Sequence, residues 1–229
     1  MMRGGILLQA RMASQRLPGK ALAPIGGWPL VTHCIRRLAA RAGLPVILAT
    51  TTRTDDDALA AAAAQAGAQL FRGSDHDVLD RFVRCAAQFE LDVVIRATAD
   101  NPGVDIDAPG RLTDALRSGH LEYVREDHLP CGAGVEGITV PALYRAGLLA
   151  RDAFDREHVT TFVRRHAGLF RTQVLAVPAT IARPDIRLTV DTADDLQSFR
   201  ELHQATGREL PDLTELIAAW EHHHRRSAA

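Results

Sequence analysis

The sequence predicts an α/β fold in which helices cover both faces of a central sheet. Short apolar runs typical of strands alternate with longer segments whose apolar residues recur at helical spacing. The run DVVIRAT at 92–98 is almost continuously apolar, as is typical of a central parallel strand with both faces buried. The 229 residues, 46% of them apolar, suffice for one large core, and we predict a single domain over 1–229.

The first half of the chain alternates strictly between strands and helices. The predicted strands are 5–10, 45–51, 68–73 and 92–98. The predicted helices are 29–43, stopped by Gly43; 55–67, whose leading acidic residues suit a helix dipole; and 74–90, capped by Ser74 or Asp75.

The second half breaks this rhythm between about 121 and 140. The runs LEYVR and VEGITV are predicted as two strands joined by EDHLPCGAG, which together form a hairpin-like excursion around 120–142. The remaining predictions are two short helices through 142–150 and 155–166, two strands at 170–179 and 186–192, and closing helices at 193–207 and 213–226.

Composition limits the classes of function. The formal net charge is −1, so no overall basic field predicts nucleic-acid binding, and any anion site must be local. No apolar run has the length of a membrane span or of a signal-peptide core, and the three cysteines have no metal or disulfide spacing. We expect a cytoplasmic protein without membrane or nucleic-acid partners. The histidines at 222–224 are interpreted as a solvated helix end.

A loop with three cations follows the first predicted strand, in QARMASQRLPGK at 9–20. Arg11, Arg16 and Lys20 repel one another unless an anion lies between them, and three such groups suit three phosphates. Ser14 and backbone N–H groups can add donors. The loop matches neither the P-loop pattern nor the dinucleotide-binding glycine pattern. A solvated basic loop with surface ion pairs is the alternative.

The stretch QARMASQRLPGKAL resembles the signature of the nucleotide-sugar cytidylyltransferases, most closely the spore coat polysaccharide biosynthesis protein F type. Further segments resemble that group in the same order over nearly the whole chain: FRGSDHDVLDRF, RATADNPGVD, REHVTTFVRRH and LTVDTADDL. The resemblance implies a nucleotidyltransferase fold with a mixed sheet, and the use of CTP to activate an acidic sugar for surface polysaccharide or glycoconjugate synthesis. It also implies a homodimer that pairs through the excursion.

A triphosphate requires a divalent cation, and Mg²⁺ prefers one or two carboxylates together with phosphate oxygens and water. The resemblance places these ligands at Asp100, after the fourth strand, and at Asp191, at the end of a later strand. From local sequence, each could instead cap a turn or a helix. Asp105 and Asp107 form a competing D-x-D pair, but they follow a Pro-Gly turn, and we favour Asp107 as a helix cap.

The remaining site residues combine this resemblance with local pattern. The predicted nucleotide-binding residues are Gln9, Ala10, Arg11, Ser14, Arg16, Lys20, Thr50, Gly73, Ser74 and Arg81, and the catalytic ones are Arg11, Arg16, Lys20 and Asp100. The predicted substrate-binding residues are Arg96, Asn101, Glu136, Arg156, Glu157 and His158. The sequence leaves alternatives for several of these residues. Arg81 could form surface ion pairs along its helix, Glu136 could be a solvated strand residue, and Glu157 and His158 could cap a helix. The group's Pro-Asp-Gly is Pro130-Cys131-Gly132 here, which leaves the sugar open.

Three functions stay open on these grounds. They are transfer of CMP from CTP to an acidic 2-keto sugar, a glycosyltransferase that uses a nucleotide sugar, and a non-catalytic nucleotide-binding relative. The presence of every expected cation and of both carboxylates favours the first.

Overall fold

One seven-stranded mixed sheet forms the centre of the protein. The computed structural model describes residues 2–14 and 16–227, and the side chains of His224, Arg226 and Ser227 lie outside that description. The strands lie in the order β5 (Gln69–Gly73), β4 (Val46–Thr51), β1 (Gly4–Gln9), β6 (Val93–Thr98), β8 (Glu136–Thr139), β7 (Tyr123–Glu126) and β9 (Thr172–Leu175). The first four are mutually parallel, β8 is antiparallel to both neighbours, and β9 is parallel to β7. The short strands β2 (Pro24–Ile25) and β3 (Trp28–Pro29) form a separate ribbon.

Helices cover both faces of this sheet, as predicted. They are α1 (Leu30–Ala42), α2 (Asp57–Gln65), α3 (Val78–Gln88), α4 (Ala108–Arg117), α5 (Val140–Leu149), α6 (Ala153–Glu157), α7 (Thr161–Arg165), α8 (Ala193–Thr206) and α9 (Leu213–Ser227). Successive side chains of a strand point to opposite faces, so Ile6 and Leu8 pack with α1, α2 and α4, whereas Leu7 packs with α3 and α5. The buried parallel strands explain the continuous apolar runs.

The two strands predicted between 121 and 140 exist and pair with each other. They lie within the central sheet, because β8 also pairs with β6, where Ile138 lies opposite Val94. The strand pair therefore widens the sheet, and only the connecting residues 127–135 leave it. Pairing of two subunits through this region stays a prediction.

The strand predicted at 186–192 is wrong. This segment makes one isolated bridge, between Cys131 and Arg187, and otherwise bonds to loops: the N–H of Val190 donates to the carbonyl of Asp100 at 2.7 Å. Its apolar side chains alternate as in a strand, but they face α8 and α9 in a third apolar cluster. Loop partners cannot continue a regular ladder, so the segment is extended without joining the sheet.

Two helix predictions also need correction. The helix predicted at 155–166 is split into α6 and α7 by Val159, whose φ of 47° is left-handed. The cap of α3 is Asp77, whose carboxylate accepts from the N–H of Asp80 at 2.8 Å. Ser74 instead accepts the N–H of Asp77, one turn earlier, at 3.1 Å. Among the described residues, no helix has both the length and the apolar character to cross a membrane.

Candidate active site

A cleft of about 700 Å³ lies at the carboxyl ends of β1 and β6, the position at which open α/β sheets bind ligands. Gln9 and Thr98, at the ends of these two neighbouring strands, lie opposite each other. The cleft brings together ten of the residues predicted from the sequence: Gln9, Ala10, Arg11, Ser14, Arg16, Lys20, Asp100, Glu157, His158 and Asp191. Its volume falls within the range typical of small-molecule sites.

The three cations of the first loop each face a carboxylate from a distant part of the chain. Arg11 lies 3.1 Å from Glu157, and Arg16 lies 2.9 Å from Asp191. Lys20 is the most buried of the three, with a side chain 15% exposed. The sequence predicted an anion between these cations, and carboxylates take that position in the protein itself.

Lys20 lies between the two aspartates predicted as metal ligands. Its Nζ donates to the carbonyl of Val190 at 2.9 Å and lies 3.4 Å from Asp191 and 3.5 Å from Asp100. Gly19, which precedes it, has a φ of 73°, a left-handed conformation that glycine adopts without steric cost. This turn directs the ammonium into the cleft, where one compact charge contacts three acceptors.

The two aspartates fit a divalent cation that also binds phosphate. Both carboxylates reach the same ammonium, so they converge on one small volume. Among the described residues, no cluster of three or more His, Cys, Asp or Glu side chains could hold a metal by itself. Mg²⁺ suits this arrangement, because it is usually bound by one or two carboxylates plus substrate phosphates and water.

Neighbouring groups hold these carboxylates in place. The hydroxyl of Thr98 donates to Asp100 at 2.6 Å, and Arg187 binds the second oxygen of Asp191 at 2.9 Å. Arg187 also contacts Asp195, which caps the start of α8 together with Thr192. Asp191 is therefore positioned by the beginning of α8 as well as by Val190.

The loop itself is anchored by Asp56, which sequence reasoning missed. Asp56 is 1% exposed, and it accepts the N–H of Met12 at 2.7 Å and both hydroxyls of Thr50 and Thr51 at 3.0 and 2.5 Å. Burial by itself would raise the pKa of Asp56, but the hydrogen bonds from Thr51, Met12 and Thr50 outweigh it and leave the pKa below 3.8. Thr50 was predicted to bind nucleotide; it is fully buried and faces Asp56 instead.

Replacement of Asp56 by alanine is expected to destabilise the protein by about 3 kcal/mol, because several buried donors lose their acceptor. It should also raise the KM for CTP about 10-fold through disorder of the loop. Urea unfolding and CTP kinetics measure the two effects. The pKa of Asp56 in the folded protein lies below its ordinary value. The stability that the ionised Asp56 contributes is therefore complete above the unfolded pKa, and it is lost as the pH falls from there through the folded pKa.

Asp57 provides the matched control for this experiment. It is the next residue along the chain, but its side chain is exposed and pairs with Arg72 at 2.6 Å. Its alanine variant should lose less than about 1 kcal/mol. Equal losses in the two variants would contradict the anchoring role of Asp56.

Glu136 was predicted to bind the sugar, but its carboxylate is instead occupied by partners in a buried cluster beside the cleft. Its side chain is 13% exposed and binds Arg96 at 2.5 Å, while Tyr123 and Thr160 donate their hydroxyls to its two oxygens. Burial by itself would raise the pKa of Glu136. Arg96 and the two hydroxyls lower the pKa by more than burial raises it, so the pKa lies below its ordinary value. Arg96 also approaches Gln9, at 3.4 Å. The cluster therefore braces the cleft wall.

Replacement of Glu136 by alanine is expected to destabilise the protein by about 3–5 kcal/mol, because Arg96 is left buried without a counterion. Replacement of Tyr123 by phenylalanine removes only one hydrogen bond to a charged group and should cost about 2 kcal/mol. Urea unfolding at neutral pH compares the two variants. A Glu136→Ala protein within about 1 kcal/mol of the wild type would contradict the cluster's bracing role.

Two further predicted substrate residues have structural partners. Arg156 binds Asp77 at 2.6 Å and donates to the carbonyls of Gly147 and Ala150 near the end of α5. It therefore joins the start of α3 to the end of α5 and is not available to an acceptor. Asn101 donates to the hydroxyl of Thr98 at 2.9 Å, a role in shaping the turn.

Three residues that were predicted to bind the nucleotide, Gly73, Ser74 and Arg81, lie outside the lining of the cleft. Arg81 is 1% exposed and donates to the carbonyl of Ser74 at 2.6 Å. The pKa of Arg81 is lowered, mainly by burial and secondarily by the positive charge of Arg11. Neither Gly73, Ser74 nor Arg81 is among the residues that line the cleft, so their contact with nucleotide stays a prediction.

Glu157 and His158 reach the cleft from a strained turn. Val159 is fully buried at a φ of 47°, a conformation that is unusual for a β-branched residue and that concentrates at functional sites. The turn presents Glu157 and His158 to the cleft while Thr160 bonds to Glu136. Their predicted role at the site is compatible with this placement.

The competing D-x-D pair lies outside the cleft. Asp105 is 3% exposed and binds Arg111 at 2.5 Å. Asp107 stands at the N-cap position of α4, but its side chain makes no capping hydrogen bond and pairs with Arg41 at 2.9 Å. The predicted N-cap position is therefore correct, but the prediction that the Asp107 side chain caps the helix is wrong.

Comparison with known proteins decides the family. The cytidylyltransferase family model matches residues 6–213. The chain belongs to the cytidylyltransferase family. Cytidylyltransferases are CTP-dependent nucleotidyltransferases, and the cleft of this cytidylyltransferase carries the cations and carboxylates that such a substrate requires.

Individual relatives agree with this assignment. The spore coat polysaccharide biosynthesis protein SpsF of Bacillus subtilis (strain 168) is 35% identical over 218 residues, which cover 91% of this cytidylyltransferase and 89% of SpsF. A cytidylyltransferase structure from Leptospira borgpetersenii has a TM-score of 0.89 at 25% identity, covering 98% of this chain and 96% of that one. A CMP:2-keto-3-deoxy-manno-octonic acid synthetase complexed with CTP shares the fold, with a TM-score of 0.68 at 20% identity over 88% and 98% of the chains.

Lys20 was predicted as a site residue from the cationic loop, but a second signal for it in the sequence was not used. Lys20 is the only lysine of this cytidylyltransferase, among 27 basic residues. A chain that uses arginine everywhere else and lysine once marks that position as one where a compact ammonium matters. Asp56 offered no such signal, because DDD at 55–57 is also an ordinary helix start.

Proposed function

We propose that this cytidylyltransferase transfers CMP from CTP to an acidic 2-keto sugar, with release of pyrophosphate, for surface polysaccharide or glycoconjugate synthesis. The observation that carries the proposal is the ammonium of Lys20 between Asp100 and Asp191 at the end of the central strands. The similarity to SpsF supports a role in polysaccharide synthesis, and the similarity to a 3-deoxy-manno-octulosonate cytidylyltransferase, 29% identical over 98% of this chain, supports the class of acceptor. We propose further that the enzyme acts in the cytoplasm as a homodimer.

The chain's own residues supply most of the catalytic effect by binding and orientation. Arg11, Arg16 and Lys20 hold the β- and γ-phosphates and stabilise the charge that develops on the leaving pyrophosphate. The acceptor oxygen forms a bond to the α-phosphorus as the bond from that phosphorus to the β-phosphate oxygen breaks, and the hydroxyl proton passes to water. Mg²⁺ held by Asp100 and Asp191 would supply positive charge beside the phosphates. No covalent enzyme intermediate is needed.

Pyrophosphate release tests the proposal. The full-length protein is mixed with Mg²⁺, each nucleoside triphosphate in turn and a panel of 2-keto sugar acids and sugar phosphates. We expect release with CTP and at least one sugar acid. Release only with sugar phosphates would overturn the acceptor class, and CTP binding without release from any acceptor would favour a non-catalytic relative. Light scattering tests the dimer, which a monomer at micromolar concentration would refute.

A further inference from the structure

A second cavity, of about 560 Å³, lies over β7 and β9 on the sheet face that also carries α7. Three arginines line it, together with aromatic, hydroxyl and amide side chains, and none of its described lining residues is acidic: Tyr123, Arg125, Phe154, Thr161, Arg164, Arg165, Ala167, Thr172, Gln173 and Val174. We call this cavity the arginine pocket. Its polarity differs from that of the first cleft, whose lining mixes acids and bases.

The three arginines differ in their partners. Arg125 approaches Asp127 at 3.4 Å, and Arg165 approaches Asp155 at 3.3 Å. Among the side chains and carbonyl groups that the structure describes, the guanidinium of Arg164 has neither an ion-pair nor a hydrogen-bond partner. The pocket therefore contains a cation whose donors are available to a ligand. Arginine donors in this arrangement suit the oxygens of a carboxylate or phosphate.

The arginine pocket adjoins the first cleft. Arg96, Glu136 and Arg125 lie opposite one another on β6, β8 and β7, so two strand spacings, about 10 Å, separate the first from the last. The ring of Phe154, which lines the arginine pocket, packs 4.3 Å from the ring of His158, which lines the cleft. Phe154 is 55% exposed. The contact between Phe154 and His158 therefore joins one lining residue of each cavity.

We propose that the arginine pocket binds an anionic group, carboxylate or phosphate, at the end of the acceptor remote from the oxygen that attacks CTP. The inference rests on the proposed function, and it narrows the acceptor. A carboxylate next to the attacking oxygen lies in the first cleft, so an acceptor that fills both cavities carries a second negative group about one sugar length away.

Binding of small anions tests the pocket without any turnover. The protein, labelled with ¹⁵N-arginine, is saturated with CTP and Mg²⁺ in the absence of any acceptor, so that the first cleft is filled. Inorganic phosphate and succinate are then titrated separately and followed by NMR of the arginine Nε–H groups. We expect saturable binding of at least one of the two, weakened at least 10-fold by Arg164→Gln. The stronger ligand distinguishes a phosphate from a carboxylate site.

Arg84→Gln is the matched control, because Arg84 is a helix arginine, 70% exposed, that pairs with Asp80 and lies outside both cavities. It should leave anion binding unchanged. Absence of saturable binding in the wild type, or equal affinity in Arg164→Gln, overturns the proposal.

Kinetics connects the pocket to the acceptor. With sugar acids that differ only in a second, remote anionic group, Arg164→Gln should raise the acceptor KM at least 10-fold for the doubly charged member. The KM for CTP should stay within about twofold. Pyrophosphate release that is indifferent to the remote group overturns the inference and leaves the proposed function intact. No release with any acceptor counts against the proposed function, and the anion titration then decides the pocket.

Discussion

Replacement of Lys20 by methionine is expected to reduce kcat/KM for CTP by about 100- to 1,000-fold, the usual loss when a preorganised charge at a reacting phosphate is removed. Methionine keeps most of the side-chain volume, so the change removes the ammonium alone. Steady-state pyrophosphate release measures the loss, and circular dichroism checks that the variant is folded. Activity within 10-fold of the wild type would contradict the central place of Lys20 in the mechanism.

Arginine at the same position provides the sharper comparison. The ammonium of Lys20 contacts three acceptors within 3.5 Å, and the larger planar guanidinium does not fit that geometry. Lys20→Arg should therefore restore less than a tenth of the lost activity. Chemical modification gives an independent measurement, because Lys20 carries the only lysine amine. An amine-directed reagent should inactivate the enzyme after modification of that side chain, and saturating CTP should protect it.

Replacement of Asp100 or of Asp191 by asparagine is expected to lower kcat by about 100- to 1,000-fold, because each change weakens the proposed metal site by several kcal/mol. Each variant should also need more Mg²⁺ for half-maximal rate. The double variant should be little slower than either single variant, since residues that act as a unit are not additive. Titration of Mg²⁺ in the pyrophosphate assay measures all three effects.

Asp107→Asn is the control for this pair, because Asp107 lies outside the cleft and pairs with Arg41. Its activity should stay within about threefold of the wild type, as expected for an exposed ion pair. If Asp105→Asn and Asp107→Asn abolish activity while Asp100→Asn does not, the metal lies at the D-x-D pair and a glycosyltransferase reaction becomes the better explanation.

The sequence could predict the part of the site that lies at strand ends. Arg11, Lys20 and Asp100 follow the first and fourth predicted strands, and the carboxyl ends of neighbouring parallel strands meet at one edge of a sheet. The pairing of Gln9 with Thr98 shows that these two strands are neighbours in the folded protein. Chain order placed the cationic loop and Asp100 at strand ends, the family resemblance selected Asp100 as a ligand, and the pairing of β1 with β6 brings the two together.

The roles of other charged side chains could not be predicted in this way, because the sequence does not show which residue a charged side chain pairs with in the folded protein. Arg156 binds Asp77, 79 positions away, and Glu136 binds Arg96, 40 positions away. Both were predicted to meet the acceptor, and both are instead paired with a partly buried opposite charge. Burial without a partner is costly, so the folded chain pairs these groups first.

The amino-acid sequence by itself determined the alternation of strands and helices, the cationic loop and the aspartate that follows β6, because periodicity and chain order are local properties. The tertiary structure alone decided the position of Asp191, whose segment is extended but outside the sheet and is held by the bond from Val190 to Asp100. It also decided which charges are free and which are paired. These outcomes depend on contacts between residues far apart in the chain, which no local pattern specifies.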